Sequence, residues 1–279
     1  MNEHPLTQTL ARISQITDYF KSQLGVTQTA GWVEPTALFA PSSGKLRELR
    51  ADAQKLLKTK SHNIIGSTLL QGYHWPIIVA PIGCYLLDKR APDLALDNLR
   101  VRLGEEGGVE QIALVAGRFA ALPDDPAASH PDAYVVPDVD ALREHLRTSL
   151  EAHLGWVIEQ LGMQVGTKPR GLWLDVADRC ASTLIWLMQE IAANVAIADI
   201  EREIDALLRV PNSPLNHKKV GLFTLNYDGK TKAFLDRASC CYWYRMEDAN
   251  GDCCTTCPRR PREERNERLL QYMAEILKR

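Results

Sequence analysis

The chain has 279 residues, room for one large domain or two ordinary ones, and its 45% apolar and 24% charged residues are the balance of a folded globular protein. That composition excludes a wholly disordered or collagen-like chain. Lys and Arg total 33 against 35 Asp and Glu, so the formal charge is -2, and no global positive excess points to a nucleic-acid partner.

In chain order, the opening MNEHPLTQTLARISQ lacks the basic stretch followed by an apolar run that marks a secretory signal. Leu10, Ile13, Ile16, Phe20 and Leu24 keep helical spacing and predict a first amphipathic helix. Ser43 and Gly44, ahead of KLRELRADAQKLLKTK, predict a second, capped at its start and charged on its outer face. Residues 61–90 are largely apolar and carry Pro76 and Pro81, so buried helical segments broken at those prolines are expected. LRVRL (99–103) and VEQIALVAG (109–117) flank a glycine-containing turn and predict a hairpin. LPDDPAASHPDAYVVPD (122–138) reads as a loop. Beyond it, Leu142, Leu146, Leu150, Leu154, Val157 and Leu161 form one long apolar stripe, followed by an apolar helix around residues 175–194. VGLFTLN (220–226) and TKAFLD (231–236) meet across Asp228-Gly229, a second hairpin. Pro261 opens a final helix with Leu269, Leu270, Met273, Ile276 and Leu277 on one face.

The fold expected is therefore α+β, predominantly helical, with β-hairpins. A mainly helical scaffold and substrate domain spans 1–215, and a module over 216–279 holds the second hairpin, a group of cysteines and the last helix. Trp75 to Leu87, the most apolar stretch, is thirteen residues with two prolines, too short to span a bilayer. Cys180 to Ile200 is longer but carries Gln189, Glu190 and Asn194, which suits a buried helix. The expectation is a cytoplasmic protein with at most peripheral membrane association, in a compartment that keeps thiols reduced.

Five of the seven cysteines fall within eighteen residues: Cys240, Cys241, Cys253, Cys254 and Cys257. Clustered in a reducing compartment, they read as metal ligands rather than disulfides. Cys254 and Cys257 form C-x-x-C, and Cys240-Cys241 supplies a second pair. Four thiolates from two short segments suit either a [2Fe–2S] cluster, two per iron, or a tetrahedral zinc. Neighbouring side chains of extended backbone point to opposite sides, which makes one small ion awkward for the adjacent pair. Cys84 and Cys180, in apolar stretches, read as core residues, as does His74 beside Trp75. No Gly-rich nucleotide fingerprint, P-loop or G-x-S-x-G is present in the sequence, so a flavin or nicotinamide is not indicated.

The segment Arg237 to Pro258, R-A-S-C-C-Y-W-Y-R-M-E-D-A-N-G-D-C-C-T-T-C-P, resembles the C-terminal signature of the siderophore ferric reductases typified by FhuF. That signature is an adjacent Cys-Cys, a spacer of about ten residues, and Cys-x-x-Cys, usually followed by proline. The match covers Arg237, Ser239, Cys240, Cys241, Tyr244, Cys254, Cys257 and Pro258. The resemblance implies a [2Fe–2S] cluster held by Cys240, Cys241, Cys254 and Cys257, making the end of the chain an iron–sulfur module. It also implies one-electron reduction of a ferric siderophore to release Fe(II), with an electron donor yet to be identified. Two features depart from the signature. The spacer between Cys241 and Cys254 is twelve residues, with Asn250-Gly251 able to absorb the insertion in a turn, and Cys253 is an extra thiol expected to be dispensable. Many ferric siderophores are anionic, so Arg245, Arg259 and Arg260 are candidate substrate-binding residues. The alternative expectation is a non-catalytic iron–sulfur or zinc module acting as a redox sensor.

Overall fold

Residues 3–17, 20–26, 30–192 and 194–276 are described by the computed structural model of the chain. Helix α1 (Pro5–Ile16) starts at His4, whose Nδ1 accepts the Leu6 N–H at 3.1 Å and so satisfies one donor of the first turn. Its buried face is Leu6, Leu10 and Ile13. The helix does not continue to Leu24. Thr17 is extended, and Lys21–Leu24 is a strand, β1. The steps from Ile16 to Phe20 and from Phe20 to Leu24 are four residues each, close to one helical turn but also an even number, so the same residues share one side of a strand. Ser22, between them, is the buried position of β1.

The chain continues through α2 (Pro35–Leu38) and α3 (Gly44–Leu56), which is capped as expected by Ser43 Oγ accepting from Leu46 N at 3.2 Å. Then come α4 (His62–Asp88), β2 (Arg90–Pro92), β3 (Leu99–Leu103), β4 (Val109–Leu114), β5 (Phe119–Ala121) and β6 (Ala133–Val135). The long helices α5 (Val139–Val165), α6 (Pro169–Ile191) and α7 (Ile197–Leu208) precede β7 (Gly221–Tyr227), β8 (Lys230–Asp236) and α8 (Arg262–Ile276). The architecture is α+β and mostly helical. Its sheets are small: β1-β4-β3, β2-β5-β6 and the β7-β8 hairpin. The first expected hairpin pairs antiparallel as β3 and β4, with β1 added parallel to β4. The stretch 122–138 is not wholly loop, because Ala133–Val135 pairs parallel with β5. Leu277 of the expected final face lies outside the described residues; Leu269 and Met273 are buried. Among the described residues no helix is long and apolar enough to cross a membrane.

Helix α4 runs unbroken through Pro76 and Pro81, against the expectation of separate segments. A proline in a solvated helix costs about 3 kcal/mol through its missing donor and its ring. Here α1, α3, α5 and α6 all pack on α4, and Ile65, Leu70, Ile77, Ile78, Ile82 and Tyr85 are buried around its circumference. Full burial of so many large side chains outweighs two local defects, since each contributes about 1.5–3 kcal/mol. Cys84 and Cys180 lie in this core, where burial pushes both thiols up to about 12 and leaves them inert. The α5 stripe, Leu142 to Leu161, is buried against the same core.

The β7-β8 hairpin turns on Asp228 (φ 51°) and Gly229 (φ 74°), the two left-handed residues of a type I′ turn. One edge of it is closed by a side chain: Gln189 of α6 accepts the Ala233 N–H at 3.0 Å and donates to the Ala233 carbonyl at 3.2 Å. At its start, Arg209 bridges the end of α7 to the His217 carbonyl at 2.9 Å. Arg265 of α8 pairs with Asp236 at 3.0 Å and lies over the Phe223 ring. These contacts orient the hairpin's exit toward α6.

Gly66 in α4 lies against Thr167, and a Cβ there would fall 2.6 Å from Thr167 Cβ. Thr167 is buried, and its hydroxyl donates to the His62 carbonyl at 2.9 Å, so it has little room to retreat. Gly66→Ala is therefore expected to lower stability by about 1–3 kcal/mol through overpacking, despite its better helix propensity. Urea denaturation checks this, and an unchanged midpoint would contradict it. His153 gives a second outcome. Its Nδ1 donates to the Leu94 carbonyl at 2.7 Å, and its Nε2 accepts from Tyr73 O–H at 2.7 Å. Burial pushes its pKa down to about 4. Between pH 4 and 6.5 the unfolded chain thus binds a proton that the folded chain does not, so stability falls as pH falls through this window. The loss attributable to His153 is ~3 kcal/mol. His153→Gln should flatten that limb of the stability-against-pH curve; an equally steep limb would reassign it.

Candidate metal centre

Strand β8 delivers the chain at Asp236 onto the side of α6, where two carboxylates receive it. Asp175 and Asp178 are three residues apart and so share a helix face, and both are buried. Asp178 accepts the Ala238 N–H at 3.0 Å and the Ser239 N–H at 2.5 Å. Asp175 accepts from Ser239 Oγ at 3.0 Å and from His74 Nε2 of α4 at 2.9 Å, with Gln71 Nε2 at 3.5 Å and Arg237 at 3.7 Å. Burial pushes the Asp175 carboxyl up, but the His74 hydrogen bond and the guanidinium groups of Arg237 and Arg179 outweigh it and hold the group below the usual range. Asp178 is raised by burial in spite of its backbone donors. Burial lowers the His74 pKa, against the pull of Asp175. Sequence reasoning treated His74 as a core histidine and passed over Gln71, Asp175 and Asp178. The available signal was a pair of aspartates at i and i+3 in a helix otherwise apolar on that face, because buried carboxylates occur with partners.

From this anchor the chain passes into the cysteines. Tyr242 is left-handed (φ 58°), and the turn it makes lets its N–H donate to Cys240 Sγ at 3.4 Å. Two short 3-10 turns follow, Trp243–Arg245 and Glu247–Ala249. The longer spacer then reverses at Asn250 (φ 47°) and Gly251 (φ 79°), as their sequence suggested. Cys241 Sγ and Cys254 Sγ lie 3.5 Å apart, within reach of one shared proton. Hydrogen bonding from Cys254, with Arg237 nearby, takes the Cys241 thiol down to about 5, and the same interaction pushes Cys254 up. Cys254 and Cys257 are joined by a turn in which Cys257 N–H donates to the Cys254 carbonyl at 3.0 Å. Cys257 is buried; the other four thiols are half-buried. The side chain of Cys253 lies against Cys257, and burial with that neighbour raises its thiol.

All five thiols therefore meet in one place, from the two segments the sequence singled out. They meet in pairs. Among the described residues no three sulfurs lie within 4.8 Å of one another.

The three arginines near the cysteines occupy different settings. Arg260 is buried: it binds the carbonyls of Cys253 and Cys254, Asp252 at 2.9 Å, and Glu264. Its donors are turned into the loop, so its task is to hold the C-x-x-C turn in shape. Arg259 is exposed, 4.2 Å over the Tyr244 ring. Arg245 donates to the Leu57 carbonyl at the end of α3, at 3.4 Å. Trp243, in the turn after the cysteine pair, is 43% exposed.

A second grouping of ligand-type side chains, His4, His130 and Asp132, lies beside β5. Each imidazole Nδ1 accepts a backbone N–H, from Leu6 and Asp132 respectively, so the ring proton sits on Nε2, and His4 Nε2 donates to Asp132 at 3.2 Å. The group is closed by its own hydrogen bonds.

The family model described as Ferric iron reductase FhuF-like transporter matches residues 67–226. The matched span runs from α4 into β7, and it includes Gln71, His74, Asp175 and Asp178 but ends before the cysteines. No curated protein matches the chain.

The anchoring role of Asp178 is testable without a bound metal. Asp178→Ala leaves two buried backbone donors without an acceptor, at about 1–3 kcal/mol each. Hydrogen exchange of residues 237–241 should accelerate while α5 stays protected; unchanged exchange there would show that the segment is held some other way.

Proposed function

The chain belongs to the FhuF-like ferric iron reductase family, and from that premise we propose that it reduces ferric siderophores by one electron, using a [2Fe–2S] cluster held by Cys240, Cys241, Cys254 and Cys257. The observation that carries this reading is the approach of Cys241 to Cys254, one thiol from each segment, on a stretch of chain anchored to the family-matched helices. The donor set fits the group. Thiolates are soft ligands that select iron–sulfur clusters and zinc alike, and the family match favours iron. When bound, such a cluster supplies a single low-potential electron, drawn from an external reductant, that converts Fe(III) to Fe(II). Siderophore oxygens grip Fe(III) and hold the softer, less charged Fe(II) weakly, so reduction releases the metal without destroying the chelate.

The surrounding residues set the conditions for that transfer. Half-burial of Cys240, Cys241 and Cys254 keeps the centre near the surface, within reach of an external complex. Arg237, buried beneath the loop, offsets thiolate charge as well as that of Asp175. The Tyr242 N–H donates to a ligand sulfur, an interaction that tunes potential. Exposed Arg259 is positioned to attract an anionic complex; Arg245 supports the loop against α3, and Arg260 supports it from within. We place the reaction in the cytoplasm, where the thiols remain reduced.

Anaerobically purified protein is expected to be red-brown, with iron and acid-labile sulfide each at about two per chain, and to show an electron paramagnetic resonance signal on reduction. Cys254→Ser should lose most of the iron, or keep it with an altered spectrum if Cys253 steps in, whereas Cys253→Ser should keep it near wild type. Ferric siderophore should rapidly oxidise the dithionite-reduced protein in stopped flow. The rate should fall with salt as the Debye length shrinks from about 10 Å at 0.1 M to about 3 Å at 1 M. Stoichiometric zinc in colourless protein matured with ample iron would overturn the reading in favour of a structural zinc module.

A further inference from the structure

The end of α3 abuts the cysteine loop. Arg245 donates to the Leu57 carbonyl at 3.4 Å, and Lys58 pairs with Glu247 at 3.1 Å, so the helix end and the turns after Cys240-Cys241 are in contact. Around this contact Lys55, Lys60 and Arg259 are exposed and make no ion pair among the described residues. The carboxylates of the two segments are mostly paired already: Glu247 with Lys58, and Asp252 with Arg260 and Arg268, which leaves Asp248. Lys55, Lys60, Arg245 and Arg259 therefore outweigh the one free carboxylate, a local positive face on a chain whose formal charge is -2. Two apolar side chains are exposed at the same contact. Leu56 precedes Leu57, and Trp243 shares a 3-10 turn with Arg245. Aromatic residues and arginine within a charged border are the composition of a protein interface.

We infer that this face docks the electron donor, and that the donor is a small acidic protein carrying a one-electron centre. This rests on the reductase reading and adds the class of the partner that supplies its electron. A nicotinamide gives hydride, an electron pair, whereas reduction of Fe(III) to Fe(II) takes one electron. One electron leaves the reduced carrier, which is thereby oxidised by one, and passes to the centre proposed at Cys240, Cys241, Cys254 and Cys257; no proton or group moves with it. An acidic docking face complements the cations and is steered to them from a distance. A second copy of this chain would instead bring cation to cation. Trp243 follows Cys241 by two residues, so a carrier seated on it lies beside the thiols. Arg259 also meets the anionic ferric complex, so carrier and complex use this face in turn.

The probe is flavodoxin, an acidic flavoprotein whose hydroquinone turns to blue semiquinone on giving up one electron. Mixed in stopped flow with the as-isolated protein at low salt, it should transfer its electron quickly. Lys55→Glu with Lys60→Glu should slow that second-order step about tenfold or more, and the difference should vanish toward 1 M salt, where the Debye length is about 3 Å. Trp243→Ala should slow it several-fold at either salt. Both variants should keep wild-type iron content, and Lys230→Glu at the tip of the β7-β8 hairpin should transfer at the wild-type rate. Reduced methyl viologen, a small cation, is the control: the double reversal should not slow its reaction. If methyl viologen reduces the protein but flavodoxin does not, or does so at one rate in wild type and the double variant, the inference is overturned and the reductase reading stands. If methyl viologen finds no reducible centre, the reductase reading itself fails. Retention of the wild type, but not the double variant, by phosphatidylserine vesicles, with flavodoxin rates alike in both, would assign the face to a membrane surface instead.

Discussion

Two carboxylates buried on one face of α6 hold the end of this protein in place. Taking a carboxylate out of water costs several kcal/mol unless charge and hydrogen bonds replace its hydration. At Asp178 the replacement is the backbone of Ala238 and Ser239; at Asp175 it is His74, Ser239 and Arg237. Each partner is therefore as necessary to the carboxylates as they are to it. The segment leading into the cysteines is fixed by this network, which tolerates few alternatives, and not by apolar packing alone, which would allow sliding.

Beyond the anchor, the loop is shaped by backbone geometry and by one arginine. Left-handed Tyr242, Asn250 and Gly251 turn the chain back on itself, and Arg260 gathers the carbonyls of Cys253 and Cys254. An arginine suits this because its planar fork offers five donors in fixed directions. The reversal brings Cys241 to Cys254 across a separation of thirteen residues. The same reversal lays Thr255 against the hairpin and α8, so the cysteine loop forms one wall of a cleft of about 350 Å³ between α6, β8 and α8. Gln189 belongs to this arrangement as well: by occupying both backbone groups of Ala233 it fixes β8, whose side chains line the cleft.

Most of the fold's parts were legible in the sequence because they depend on local periods. The α5 stripe, the Ser43 cap, the Asp228-Gly229 turn and the crowding of cysteines each follow from neighbours a few residues apart. Where local rules misled, a second rule fitted the same residues or packing overrode them. Phe20 and Leu24 satisfied a helix and a strand at once, and the prolines of α4 are tolerated because helices on every side make that segment core.

By itself, the sequence determined the helical character of the chain, the second hairpin, the cysteines available as ligands and, through their spacing, the family they resemble. Only the tertiary structure decided that Asp175, Asp178 and His74 sit beneath those cysteines, that Arg260 is a clamp and Arg259 an exposed cation, and that a cleft borders the loop. Those residues are 60 to more than 100 positions from their partners in some cases, as with Ser239 and Asp178 or His74 and Asp175. A buried charge is satisfied by whatever the fold brings within 3 Å of it, and no local period records that choice.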